Sequence, residues 1–183
     1  MSLVPSKVFF VKGHGFHKNK LAAFEESLRE AGIASFNLVT VSSILPPYCI
    51  EIPKDKGLKQ LRAGQIIYTV MSRAESDEYN RLITASIGVA KPAEGEAYGY
   101  LSEHHAFGEK PEDAGDFAED LAAEMLASTL GVDTFDSEAN YDEKKEVYKM
   151  CGKIVETKNI TASAIVKKEK EWATVLAAAI FII

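Results

Sequence analysis

Ser42 and Ser43 stand between a β-rich run, Asn37-Leu38-Val39-Thr40-Val41, and a chain reversal, Ile44-Leu45-Pro46-Pro47. A serine hydroxyl held against the carbonyl carbon of the preceding residue converts that amide into an ester, provided the oxyanion is stabilised and the approach is close to attack geometry. β-Elimination across Ser43 then frees Ser42 as a new C-terminus and leaves dehydroalanine. Hydrolysis with loss of ammonia turns the new N-terminus into a pyruvoyl group. Such a ketone takes up a substrate amine and accepts the electrons released by decarboxylation, as pyridoxal phosphate does, so neither PLP nor a metal is called for. The same residues also describe an ordinary strand end and turn, because paired prolines restrict φ and remove donors.

Two carboxylates and an amide extend the chemistry. Loss of carbon dioxide leaves a carbanion that must be protonated, and a carboxylic acid beside the reacting carbon does this. Glu103 closes a predicted strand, Tyr98 to Glu103, and is followed by His104 and His105; a surface strand end is the plain alternative. Glu25 lies four residues after Leu21 and three before Leu28, so it projects from an apolar helical stripe and either finds a partner or sits at the stripe's edge. Asn37 lies six residues before Ser43, about 20 Å away in a straight strand at about 3.3 Å per residue, so a neighbouring subunit would have to bring the two together. The histidines, His14-x-x-His17 and His104-His105, lack the spacing of a zinc site.

The run Asn37-Leu38-x-x-Val41-Ser42-Ser43-Ile44-Leu45-Pro46-Pro47, with Ala23-Phe24-Glu25-x-x-Leu28-x-x-Ala31-Gly32-Ile33 upstream and the region around Glu103 downstream, resembles the pyruvoyl-dependent arginine decarboxylases. The resemblance implies a single α+β domain, a four-layer αββα sandwich assembled as a homotrimer or a multiple of it, with active sites between subunits. It implies cleavage between Ser42 and Ser43 into a β chain, residues 1–42, and an α chain, residues 43–183, whose covalent pyruvoyl cofactor derives from Ser43. Glu103 is then the proton donor, Asn37 an aid to processing or catalysis, and Glu25 the partner of the substrate guanidinium. Leu21, Leu28 and Ile44 would line the aliphatic part of the pocket, though each also reads as plain core. The family typically has aspartate where this chain has Glu25, and the extra methylene moves the carboxylate by about 1.5 Å. The implied reaction is decarboxylation of L-arginine to agmatine, feeding polyamine synthesis. A related amino acid as substrate, or an unprocessed relative that binds a cationic amine, are the alternatives.

Composition agrees. The chain has 183 residues, 46% hydrophobic and 26% charged, enough for one domain with a sizeable core. A formal charge of -6 argues against nucleic acid as a partner. Cys49 and Cys151 form no CxxC, so free thiols in a reducing cytoplasm are expected. No basic and apolar leader opens the sequence, and the apolar run Ala173 to Ile183 is too short to cross a bilayer, which implies a soluble cytoplasmic protein.

The elements that must position these residues follow from periodicity. Val8 to Val11 is a short strand and Gly13-His14-Gly15 a turn. Leu21, Phe24, Leu28 and Ala31 predict a helix from Lys20 to Ala31, capped by Gly32 in the left-handed region. Ala34 to Ser43 reads as a two-faced strand, Pro53 to Gly57 as a loop, and Ile66 to Met71 and Leu82 to Ala90 as strands separated by a charged break through Glu75-Ser76-Asp77-Glu78. Pro111 opens the longest helix, to Leu130, with Phe117, Leu121 and Met125 on one stripe and Gly131 as stop. Residues 133–149 read as a polar insertion with a short helix. Lys153 to Lys167 and Trp172 to Ile183 read as two long strands buried in the middle of the fold.

Overall fold

The computed structural model describes residues 3–131 and 154–183, and the polar insertion and Cys151 lie outside them. The first long strand, β1 (Lys7–His17), passes straight through Gly13 and Gly15, where a turn was expected. The glycines have another use. A Cβ at Gly13 would lie 2.3 Å from the Ser27 carbonyl oxygen, and one at Gly15 would lie 2.2 Å from that of Ala23. Both residues sit in the helix α1 (Lys20–Ala31), which therefore rests directly on the strand backbone.

Helix α1 has the expected bounds. Asn19 caps its start by accepting from the Leu21 and Ala22 N–H groups, and Gly32 ends it at φ 82 with its own N–H returned to the helix. Leu28 and Ala31 face inward to meet Phe9, Val11, Leu176 and Ile180.

The expected strand from Ala34 shrinks to β2 (Asn37–Thr40), and the chain then changes sheet before β3 (Ile44–Leu45). After β4 (Ile50–Glu51), the segment expected as a loop folds as a short helix, α2 (Lys54–Leu58), opened by Pro53. Strands β5 (Ile66–Ser76) and β6 (Leu82–Pro92) run further than the apolar cores that predicted them, and β7 (Gly99–Phe107) carries on past Glu103. Glu103 is thus in mid-strand, because backbone pairing with β6 continues from Glu103 opposite Ile87 to Phe107 opposite Ile83.

Helix α3 (Pro111–Thr129) starts at its proline, with Glu112 and Asp113 in the first turn. Its buried face is not the large-residue stripe. Ala114, Gly115, Ala118, Ala122, Ala123, Leu126 and Ala127 are buried, whereas Phe117 is exposed. Small residues win the interior because this helix also sits very close to a sheet, where a Cβ on Gly88 would be 1.9 Å from the Ala118 carbonyl oxygen.

The last strands are β8 (Ile154–Ile165) and β9 (Trp172–Ile182). One sheet has the order β2-β5-β9-β1-β4, with β9 central as expected; the other has β3-β7-β6-β8, with β8 at an edge instead. In the first sheet β1 with β4 and β2 with β5 are parallel and the rest antiparallel. The second is antiparallel throughout. The architecture is an α+β sandwich. Val8, Val70, Ala177, Ala179 and Phe181 of one sheet pack against Ile87, Val89 and Leu101 of the other, leaving α1 and α3 on the two outer faces. Among the described residues no helix is long and apolar enough to cross a membrane.

Candidate active site

Ser42 and Ser43 occupy the point where the chain passes from one sheet to the other. On one side the Val41 N–H donates to the Thr69 carbonyl at 3.0 Å, extending the β2–β5 ladder by one residue. On the other, the Leu101 N–H donates to the Ser43 carbonyl at 2.9 Å, opening the β3–β7 ladder. Val41 and the buried Leu45 bracket the two serines with side chains in the core between the sheets. The change of sheet is made by a three-residue turn in which the Ile44 N–H donates to the Ser42 carbonyl at 2.9 Å.

This placement brings Ser43 to Glu103. The hydroxyl donates to Oε2 at 2.8 Å. Glu103 lies two residues along β7 from buried Leu101, and alternation puts it on the same face, where that face emerges from beneath the first sheet. Ser72 of β5 donates its hydroxyl to the His104 carbonyl, which ties the two sheets together beside Glu103. The His104 ring points the other way, onto Phe117 at 4.5 Å with Nε2 2.9 Å from Glu109. His105 shares the Glu103 face and meets the edge of Phe107.

Beside Ser42 opens a cavity of about 270 Å³ lined by Pro5, Val41, Ile44, Tyr68 and Phe181 among others. A larger cleft of about 580 Å³ lies across the molecule between β1 and β8. Its polar lining is already engaged: Lys12 donates to the Thr161 carbonyl and His14 pairs with Glu30 at 2.9 Å. The smaller cavity is the one that adjoins the serines.

The other expected residues lie apart from Ser43 within one chain. Ile44 is the exception, 38% exposed at the cavity rim. Glu25 sits on the outer surface of α1, paired with Arg29 at 3.1 Å. Leu21 is 74% exposed on the same helix, and Leu28 is 9% exposed beneath it in the core. Asn37 opens β2 and donates its side-chain amide to the Gly64 carbonyl at 2.8 Å. Sequence reasoning missed Tyr68, whose aromatic character in a predicted strand signalled core, and the Ile44 and Leu101 N–H groups, since backbone donors carry no residue-type signal.

The site brings together a serine hydroxyl on a carboxylate and a neighbouring carbonyl that accepts an N–H, the groups that acyl transfer on the backbone would use. A pyruvoyl group fits it, because the serine that would yield the group is the residue held by Glu103, Leu101 and the turn. The comparisons with known proteins agree on one family. A family model described as pyruvoyl-dependent arginine decarboxylase matches residues 7–183. The chain is 56% identical to a probable pyruvoyl-dependent arginine decarboxylase of Chloroherpeton thalassium, over all of both chains. It is 51% identical to the pyruvoyl-dependent arginine decarboxylase of Thermoplasma volcanium over 98% of this chain and 97% of that one. It is 45% identical to the same enzyme of Nitrosopumilus maritimus over all of both. With the family pattern running from residue 7 to residue 183, the chain belongs to the pyruvoyl-dependent arginine decarboxylases.

Proposed function

We propose that the chain cuts itself between Ser42 and Ser43 and then removes the α-carboxylate of L-arginine, giving agmatine and carbon dioxide. The observation that carries the proposal is the 2.8 Å hydrogen bond from Ser43 to Glu103. In the first step Ser43 Oγ bonds to the Ser42 carbonyl carbon and the bond from that carbon to the Ser43 nitrogen breaks. Glu103 takes the hydroxyl proton and passes it to the departing nitrogen. Loss of the Ser43 α-proton with scission of its Cβ–Oγ bond frees the Ser42 carboxylate. Water then displaces ammonia at the new terminus.

The resulting ketone supplies a carbonyl that takes up an amine and a sink for the electron pair released with carbon dioxide. The chain's own residues do the rest. Glu103, once protonated, returns a proton to the substrate Cα, the same group acting first as base and then as acid. Ile44 and the cavity beside Ser42 cover the aliphatic stem and keep water from it. Glu25 pairs with the guanidinium, and Asn37 assists processing. Within one chain these two residues have their hydrogen bonds elsewhere, so the complete site takes them from a neighbouring subunit of a homotrimer. The exposed apolar side chains Leu21, Val39, Ile44 and Ile66 favour that assembly, because a lone protomer would leave them in water. In this reading the protein is a cytoplasmic four-layer αββα sandwich of one domain, and residues 1–42 and 43–183 remain one fold after the cut, each end held by a different sheet.

Denaturing mass analysis of freshly folded protein tests the first step, and carbon dioxide release from arginine, ornithine and lysine tests the second. The expected result is two chains and a preference for arginine. A Ser43→Ala chain that still turns over arginine would overturn the reading.

A further inference from the structure

We propose that His105 is the relay that returns a proton to Glu103 after each turnover, an inference that rests on the reading of Glu103 as proton donor given above. Decarboxylation of an amino acid consumes one proton: the α-carboxylate leaves as carbon dioxide, and the electron pair of the broken carbon–carbon bond is taken up by a hydrogen newly bound to Cα. Glu103 gives up that hydrogen and is left a carboxylate, so the next turnover waits until it is protonated again. Carboxylic acids are ordinarily ionised at neutral pH, whereas imidazole is the side chain that exchanges protons with water there.

The fold sets an imidazole where such a delivery would start. Leu101, Glu103, His105 and Phe107 follow one another on one face of β7, from the buried Leu101 to the exposed Phe107. Glu103 and His105 are both exposed in a single chain. Two residues of strand separate their Cα atoms by about 6.6 Å, a span that the two side chains and one water cover. The ladder from β7 toward β3 ends where the Leu101 N–H meets the Ser43 carbonyl, and past it no strand pairs with the outer edge of β7 among the described residues. His105 is therefore open to water on the side away from the core. Its ring rests on the edge of Phe107, with 6.4 Å between centroids and 90° between planes.

The surroundings leave His105 as the source. Once Ser43 has become the ketone it carries no Oγ, so the hydroxyl that meets Glu103 at 2.8 Å in the precursor is gone. His104 turns to the opposite face, with Nε2 2.9 Å from Glu109 and its ring on Phe117. β6 sets Ala85 opposite His105 and Ile87 opposite Glu103. The β5 residues that face this sheet are Ser72, whose hydroxyl donates to the His104 carbonyl, and Ala74, which packs with Ile83 and Ala85. Arg73 and Glu75 of β5 turn to the other side, over Phe24 and against Lys20 of α1. Among the described residues, Glu103 and His105 are thus the titratable pair on this stretch of the face. An N–H of the imidazolium protonates the bridging water as that water protonates the carboxylate, and the neutral imidazole regains its proton from solvent.

The test measures carbon dioxide release from arginine by cut enzyme carrying His105→Gln or His105→Ala. In both, kcat is expected to fall by about tenfold or more with KM unchanged, and the loss should shrink in acid, where free hydronium protonates the carboxylate directly. Added imidazole should restore turnover of the His105→Ala enzyme in proportion to its concentration, which a merely structural role for the residue would not allow. Both chains should release the 1–42 fragment at the unmodified rate, because the relay acts after the cut. A kcat within about twofold of the unmodified enzyme across the pH range, or a loss that imidazole leaves in place, would overturn the relay while leaving Glu103 as donor. A His105 variant that fails to cut also overturns it, since the residue would then serve processing or the fold. Undiminished turnover per cut chain in Glu103→Gln would instead remove the donor reading beneath it.

Discussion

Ser43 and Glu103 stand 60 residues apart in the chain and 2.8 Å apart in space, one on the crossing between sheets and the other in the middle of β7. In the proposed processing step that contact makes Glu103 the base for the serine hydroxyl. A Glu103→Gln chain keeps the size of the side chain and loses the base. Its self-cleavage should slow by about 10²–10⁴-fold, read as persistence of the full-length chain. Cleavage at the unmodified rate would remove Glu103 from the processing step.

Under the proposed function, substitutions at Glu25 should separate processing from substrate binding. Its carboxylate lies on the outer face of α1 with Arg29, away from Ser43 in the same chain. Glu25→Ala should cut at the unmodified rate but raise KM for arginine at least tenfold, about 1.4 kcal/mol, and Glu25→Asp should recover most of the loss. If KM does not move, the guanidinium is held by another group.

The close seating of α3 on its sheet predicts an asymmetry between glycines. Gly88→Ala would force a Cβ to within 1.9 Å of the Ala118 carbonyl oxygen, so it should cost about 3 kcal/mol or prevent folding. Gly64→Ala places its Cβ in open space, although at φ 82, and should cost only about 1 kcal/mol. Urea unfolding of the two variants measures the difference, and equal losses would refute the packing argument.

A charge cluster predicts how stability varies with pH. Burial alone would raise the Glu51 carboxyl, but hydrogen bonds from Lys158 and Lys91 outweigh it and hold the group below its ordinary 4.5. Burial alone would lower Lys91, but Glu156 and Glu51 outweigh it and raise the ammonium above its ordinary 10.5. A depressed carboxyl stabilises the fold above its ordinary value and loses that contribution as pH falls through the folded value. A raised ammonium contributes fully below 10.5 and loses its share as pH rises through the folded value. Glu51→Gln should therefore lose about 1 kcal/mol at neutral pH, a figure reduced by solvent screening, and the gap should close as the solution is acidified below 4.5. Thermal midpoints of both proteins across that range provide the check; a gap that persists in acid would mean the pair does not act through charge.

The amino-acid sequence alone was enough for α1 and its glycine cap, because Leu21 to Ala31 follow the helical period and Gly32 ends it through local hydrogen bonds, whereas the Asn19 cap at its start emerged only in the structure. It was also enough for the start of α3 at Pro111, since a proline at a first helical turn depends on residue type and short spacing. Other features depended on which backbone passes over which. Gly13 and Gly15 read as a turn in one dimension and prove to be the floor beneath a helix. The stripe Phe117, Leu121 and Met125 has the right period but the wrong size for a helix pressed onto Gly88. The union of Ser43 with Glu103, the backbone donor at Leu101, and the passage between sheets at Ser42 exist only once β3 pairs with β7, because hydrogen bonds between distant strands are set by register across the fold and leave no mark in local composition.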